Sequence, residues 1–314
     1  MTNIKDSIKK ITPFVKPYRI GFLTAILLII VAAVFTALAP RTEGLVITQL
    51  TNDSFDLIKG VEASVNFKYI TGVLVLLLVV YLGNVLATYG ASFLLTNAIQ
   101  NSMRDLRGAV QDKIRRLPVS YFDKNSYGDV LSRITNDIDT ISNALQQSFS
   151  QVVNSVLSVT LALIMMYSIN FKLALIGTLI IPLSYIVSRV VVGKSQGYFK
   201  TQQDALGKLN GTVQEMYTGF NEIKLYGKEE DAIEEFTAIN SELQVAGFKA
   251  QFISSTMGPL VSLVCYLGIA AIGIFGAIIS IAGGITVGNL QAFIRYVWQI
   301  NQPLSQVTQL SSAI

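Results

Sequence analysis

The hydrophobic residues of this chain are gathered into long uninterrupted blocks rather than alternated with polar ones. No Asp, Glu, Lys or Arg occurs between Arg19 and Arg41, Lys68 and Arg104, Asp139 and Lys172, Lys172 and Arg189, or Lys249 and Arg295. A helix that crosses a bilayer needs roughly 20 predominantly apolar residues, with a range of about 17 to 25. The first three windows hold one such helix each. The fourth is short, but Lys172 and Arg189 can reach the polar layers from its ends. The last window holds 45 residues, too many for one crossing. Gly276, Gly283 and Gly284 fall inside it, so it predicts two spans joined by a tight turn at 282–285. The pattern predicts six spanning helices.

Composition agrees. Of 314 residues, 51% are hydrophobic and 14% charged, against about 25% charged in a soluble domain. There is no histidine and one cysteine, Cys265, in the middle of a predicted span. Zinc, haem and disulfide chemistry therefore lack ligands, and no metal site or cofactor is expected in the chain. Cys265 reads as a small buried hydrophobe. Basic residues ahead of an apolar run, with Ala37-Leu38-Ala39 behind it, have the outline of a signal peptide. The run from Ile20 to Ala39 is longer than the usual core of about 7–15 residues, however, and Pro40 would follow the cut. The reading is a retained first span.

Charge sets the expected orientation. The N-terminal tail carries Lys5, Lys9, Lys10, Lys16 and Arg19 against Asp6 alone, which places it in the cytoplasm by the positive-inside rule. Residues 41–68 then face outward with three basic and four acidic residues, and the later outward turns are minimal. The inward segments, 104–139 and 189–249, carry seven basic residues each. Both termini are expected to be cytoplasmic. The inward segments are rich in Leu, Gln, Glu and Lys, good helix formers, and poor in proline. The spanning helices are therefore expected to run on well past the bilayer. In the tail, Ile4, Ile8, Ile11, Val15 and Tyr18 recur at helical spacing, as in a helix lying in the membrane surface.

The tips of the two inward hairpins carry the most specific sequence. The first reads Leu117-Pro-Val-Ser-Tyr-Phe-Asp123, then Gly128-Asp-Val-Leu-Ser-Arg133-Ile-Thr-Asn-Asp137. It resembles the first intracellular loop of ATP-binding cassette (ABC) exporters. The second, Glu215-Met-Tyr-Thr-Gly-Phe-Asn-Glu-Ile-Lys-Leu-Tyr-Gly227, resembles their second loop. Gly284-Ile-Thr-Val-Gly288, Ala292-Phe293 and Pro303 resemble the start of their sixth span. The resemblance implies an all-α membrane protein: an interfacial elbow helix at 1–18 and a six-helix ABC exporter transmembrane domain at 19–314. It also implies two coupling segments, 119–125 and 215–222, that seat in nucleotide-binding domains. Ser120, Tyr121, Phe122, Asp123, Tyr217, Thr218, Gly219, Phe220 and Asn221 would make that contact. The residues themselves leave another reading for Tyr121 and Phe122, packing inside the loop bundle. Arg133 and Asp137, four apart, are spaced for a structural ion pair.

The sixth predicted span carries Gln291, Arg295, Gln299, Gln302, Gln306 and Gln309 within an arc of roughly 80° at 100° per residue. A polar stripe on a spanning helix should face a bundle interior or a water-filled cavity. Gln291, Arg295, Trp298, Gln299, Gln302 and Gln306 are thus candidates to line a substrate pathway. Arg295 has an alternative as a structural arginine bonded between helices. Pro182 and Pro259 fall in spans 4 and 5, as flex points or static kinks.

The chain has no G-x-x-x-x-G-K-[ST] motif, so no ATP site is expected within it. In the resembled family, ATP and Mg bind a nucleotide-binding domain that follows the sixth span. A truncated polypeptide, or a motor on a separate chain, would explain an end at Ile314. The expected partners are a second transmembrane half (identical or not), nucleotide-binding domains, the lipid bilayer of a bacterial plasma membrane and a small amphipathic substrate such as a drug, lipid or peptide. No nucleic acid is expected. An ion-coupled secondary transporter is the first alternative, disfavoured because no charge-free window holds a carboxylate to relay protons. A regulatory membrane subunit that moves nothing is the second.

Overall fold

The computed structural model describes residues 11–59, 65–124 and 126–312. Among them every regular element is helical. The segment from Ile11 passes through a 3₁₀ turn, Lys16–Tyr18, containing Pro17. Ten helices follow: α1 (Arg19–Ile58), α2 (Phe67–Arg115), α3 (Val119–Lys124), α4 (Tyr127–Ser132), α5 (Ile138–Ile169), α6 (Phe171–Thr218), α7 (Phe220–Leu225), α8 (Glu229–Ser255), α9 (Met257–Ile281) and α10 (Val287–Ser312). A helix satisfies all its backbone polar groups within itself, which an apolar medium demands of a lone segment. Residues 1–10 of the expected interfacial helix lie outside the described residues.

The predicted lengths are met. With 49 and 48 residues, α2 and α6 extend for about 70 Å at 1.5 Å per residue, against a hydrocarbon thickness of about 30 Å. Among the described residues, five helical stretches are long and apolar enough to cross a membrane, α8 and α9 together counting as one. The sixth expected span, α10, is not among them. It has 26 residues, but its glutamines dilute its apolar character.

The turns follow from their caps. Between α5 and α6 the connection is Asn170 alone, whose Oδ1 accepts from the N–H groups of Lys172 at 3.0 Å and Leu173 at 3.2 Å. The turn between α9 and α10 falls where expected, with Gly283 at φ 76°, a conformation that excludes most L residues. Pro118 ends α2 as its fixed geometry predicts. Thr256 interrupts the run between α8 and α9, and Pro259 supplies the reason: its ring has no N–H for the carbonyl of Ser255.

Two sequence expectations change. Residues 41–58 were read as part of an outward loop, but α1 passes through Pro40 without a break and continues to Ile58. Arg133–Asp137 forms a π turn. With an i→i+5 repeat, residues four apart no longer stack as they do on an α-helix. The segment 215–222 covers the last turn of α6, the joint at Gly219 and the start of the short helix Phe220–Leu225.

The chain divides into two compact units. The first, residues 1–169 and 283–296, packs α1, α2, α5 and the start of α10. Ala25, Leu95, Ile99, Met103 and Ile138 are buried together, bordered by Phe22, Leu145 and Phe149. Asn84 donates to Ala32 O at 2.9 Å and to Thr36 Oγ1 at 2.8 Å, a polar tie between α1 and α2. Arg107 of α2 pairs with Asp139 of α5. The second unit, residues 170–282 and 297–314, packs α6 against α8 and α9. Small residues allow the approach: a Cβ on Gly268 would run into the side chain of Ile180, and Ala205, Ala246 and Ala250 are buried.

Candidate functional site

The first half of α10 is held to α1 by a graded set of contacts inside the first unit. Thr286 caps α10, its Oγ1 accepting from Asn289 N–H at 3.1 Å, and it also accepts from Thr48 Oγ1 at 3.0 Å. One turn on, Gly44 and Gly288 lie backbone to backbone. A Cβ on Gly44 would sit 2.5 Å from Gly288 O. Such small-residue contacts let spanning helices pack where lipid gives no hydrophobic drive. Two turns further, the buried Tyr296 hydroxyl donates to Ala37 O at 2.8 Å. Ala37 lies three residues before Pro40, where the backbone ladder is already disturbed.

On the flank of this seam sits a polar cluster built from three helices. Glu43 of α1 accepts from Tyr81 of α2 at 2.6 Å through Oε1, and from Gln291 Nε2 of α10 at 3.3 Å through Oε2. Arg295 brings Nε to 3.3 Å from the same Oε2. The carboxylate is 19% exposed and the arginine 59%. Glu43 is thus recessed and held by two hydrogen-bond donors, while more than half of the Arg295 side chain is exposed. Sequence reasoning found Arg295 and Gln291 but missed Glu43 and Tyr81. Glu43 was placed in the outward segment because the charge-free window closes at Arg41, yet α1 runs on through Pro40 to Ile58, as spanning helices tolerate proline.

The two faces of α10 differ sharply. Ala292, Phe293, Tyr296, Val297 and Ile300 are completely buried. Arg295, Trp298 and Gln302 are exposed, and Gln299 is half-buried. Within the second unit, the indole of Trp298 meets Tyr266 edge to face at 5.4 Å, and Cys265 Sγ donates to Asn301 Oδ1 at 3.2 Å. The side chain of Gln306 lies outside the described residues.

Each unit also carries a candidate contact segment at a tip of its long helices. In the first, α3 carries Tyr121 and Phe122, half-buried and stacked edge to face at 5.7 Å. Val119 and Ser120 are exposed beside them, while the side chain of Asp123 lies outside the described residues. The two rings cover one another but are not enclosed. In the second unit, Tyr217 is 86% and Phe220 56% exposed, with Leu225 at 80% and Tyr226 at 75%. Thr218 and Asn221 are exposed beside them. Lys224 Nζ lies 5.7 Å from the centre of the Phe220 ring. Gly227, at φ 62°, reverses the chain into α8. Leu225 and Tyr226 were not singled out from the sequence, although they complete the same motif.

Comparison with known proteins adds an independent line. Residues 22–304 match the family model described as the ABC transporter transmembrane region. A fatty acid ABC transporter ATP-binding/permease protein from Mycobacterium bovis is 38% identical over 267 residues, 84% of this chain and 42% of that protein. The uncharacterized ABC transporter ATP-binding protein YfiC of Bacillus subtilis is 27% identical over 96% of this chain and 48% of its own. An ATP-dependent lipid A-core flippase of Escherichia coli is 24% identical over 99% of this chain and 53% of its own. The chain spans about half the length of the curated relatives it matches. A match over nearly the whole chain, on an all-helical fold with the expected joints at its hairpin tips, shows that it belongs to the ABC transporter transmembrane region family, as the transmembrane domain of an ABC exporter.

Proposed function

We propose that this chain forms one membrane-spanning half of an ATP-driven exporter, and that the exposed face of α10 lines the substrate pathway. The observation that carries the reading is the inverted polarity of α10. Its apolar side, including Phe293, Tyr296, Val297 and Ile300, is completely buried in the chain, while Arg295, at 59%, faces out. A lipid-facing helix would show the opposite arrangement. A polar face that points away from its own chain needs a water-filled cavity or a second chain. Two halves closing around such a face would create both. Gln291, Arg295, Trp298, Gln299, Gln302 and Gln306 would then border the cavity.

Coupling to ATP hydrolysis would run through α3 and the α6–α7 joint. Tyr217, Phe220, Leu225 and Tyr226 are large apolar side chains exposed at the end of a helix of about 70 Å, too far along it for all to face lipid. A nucleotide-binding domain, holding ATP and Mg, is the partner that would cover them, with both termini cytoplasmic in a bacterial plasma membrane. α10 would complete six spans, and residues 1–18 would lie at the membrane surface. The two relatives named for fatty acid and for lipid A-core support an amphipathic lipid as the class of substrate.

The test is transport and substrate-stimulated ATPase in proteoliposomes containing the full-length protein. Gln299→Ala and Gln302→Ala should lower transport of a fluorescent lipid by at least about threefold while leaving basal hydrolysis intact. Phe220→Ala with Leu225→Ala should abolish the stimulation. Unchanged transport and stimulation in all four substitutions would refute the assignment.

A further inference from the structure

Glu43, Tyr81, Gln291 and Arg295 form a site whose parts have complementary jobs. Two donors, the Tyr81 hydroxyl of α2 and the Gln291 amide of α10, converge on the Glu43 carboxylate, and Arg295 of α10 pairs with it as an ion. Arg295 meets Glu43 through Nε, at 3.3 Å from Oε2. The guanidinium is 59% exposed, and eight residues, or about 12 Å of helix, separate it from the start of α10. An arginine there is costly unless its remaining N–H groups find acceptors. Its two terminal nitrogens make a planar fork that matches two oxygens of one carboxylate or phosphate.

We propose that this cluster is an oxyanion-recognition site: the outer edge of Arg295 takes the acidic head group of an amphipathic molecule, and Glu43 behind it positions the arginine and limits the affinity by its opposing charge. The inference rests on α10 lining the substrate pathway. The hydroxyl of Tyr81 and the amide of Gln291 keep Glu43 on the recessed side, so a ligand meets the cationic edge first. A net cation without Glu43 would hold an anion tightly, and a transporter must release its cargo. The recessed carboxylate opposes that binding without blocking the fork.

Binding of radiolabelled twelve-carbon amphiphiles to the full-length protein in phosphatidylcholine nanodiscs tests this. Dodecanoate, dodecyl phosphate, dodecanol and dodecyltrimethylammonium share a chain and differ only in the head. Arg295→Gln should weaken dodecanoate, dodecyl phosphate or both by about tenfold or more, as loss of charge-assisted hydrogen bonds implies, and leave dodecanol within twofold. Which of the two acids responds identifies the head group. Arg295→Lys keeps the charge and loses the fork, so it should weaken the same acid by about threefold or more. Glu43→Gln keeps the shape of the acceptor and removes the charge. It should tighten the acid by about threefold or more.

The site is refuted if Arg295→Gln shifts all four amphiphiles equally, or if Glu43→Gln weakens the acids. If Trp298→Ala weakens all four while Arg295→Gln weakens none, the pathway assignment stands and the oxyanion site falls. If neither substitution moves any of the four, both fall together.

Discussion

Replacing Gly44 with alanine puts a heavy structural load on a single methyl group. The added Cβ would sit 2.5 Å from Gly288 O and 2.9 Å from Gly288 C. Both atoms belong to backbone, so no rotamer change relieves the contact. Restoring an ordinary separation of about 3.4 Å requires α1 and α10 to part by close to 1 Å, in line with the small clearances of close-packed interiors. That movement would stretch the Tyr296–Ala37 hydrogen bond, now 2.8 Å, and the Arg295–Glu43 contact, now 3.3 Å. Overpacking costs about 1–3 kcal/mol, and each weakened polar contact between spanning helices about 0.6 kcal/mol. Alanine returns up to about 1 kcal/mol in helix propensity. The net expectation is a loss of about 1–3 kcal/mol. Thermal unfolding in nanodiscs, followed by the fraction still monodisperse after heating, should show a midpoint lowered by roughly 3–8 °C. Gly72→Ala is the matched control. It lies in α2, and nothing comes within 4 Å of the added methyl, so it should hold or raise the midpoint. A Gly44→Ala protein no less stable than Gly72→Ala would refute the close helix contact.

Three further outcomes follow from the same structure. Tyr296→Phe removes only the hydroxyl bonded to Ala37 O and should cost about 0.6 kcal/mol, at most about 1.7, a smaller midpoint shift than Gly44→Ala. Asp53 is 8% exposed and accepts from Gln49 Nε2 at 2.8 Å and from the backbone N–H of Asn66 at 2.9 Å. Asp53→Ala should cost about 1–3 kcal/mol and speed amide exchange at Asn66 at least about tenfold in hydrogen–deuterium exchange. By contrast, Lys208 and Glu242 pair at 3.2 Å with side chains 61% and 51% exposed. Glu242→Ala should change stability by less than about 1 kcal/mol, leaving the midpoint within error of the parent.

Glu43 alters one argument drawn from the charge-free windows. Those windows hold no carboxylate, which counted against ion coupling. Yet the structure sets Glu43 against Arg295 inside a continuous helix. The lack of a carboxylate beside the spanning helices therefore no longer separates the two classes of transporter. Family membership does so, because the match covers residues 22–304.

Much of the fold was legible from the chain alone, for definite reasons. A spanning helix must satisfy its own backbone and exclude charge over some 20 residues, so charge-free windows mark the helices without reference to any neighbour. Asn170, Gly283 and Pro118 act through their own dihedral and capping preferences, which are likewise local, and the turns appeared where those residues stand. The polar stripe of α10 needed only the helical repeat. The Glu43 cluster was not legible in this way. Whether the helix ends at Pro40 depends on whether neighbours can tolerate its distorted backbone, and Tyr296, from more than 250 residues away, supplies a hydrogen bond there. The pairing of Glu43 with Tyr81, Gln291 and Arg295 depends on the register of three helices, and the close approach of Gly44 to Gly288 fixes α1 against α10. Local rules determined where the helices lie along the chain; packing between distant segments decided which charge meets which.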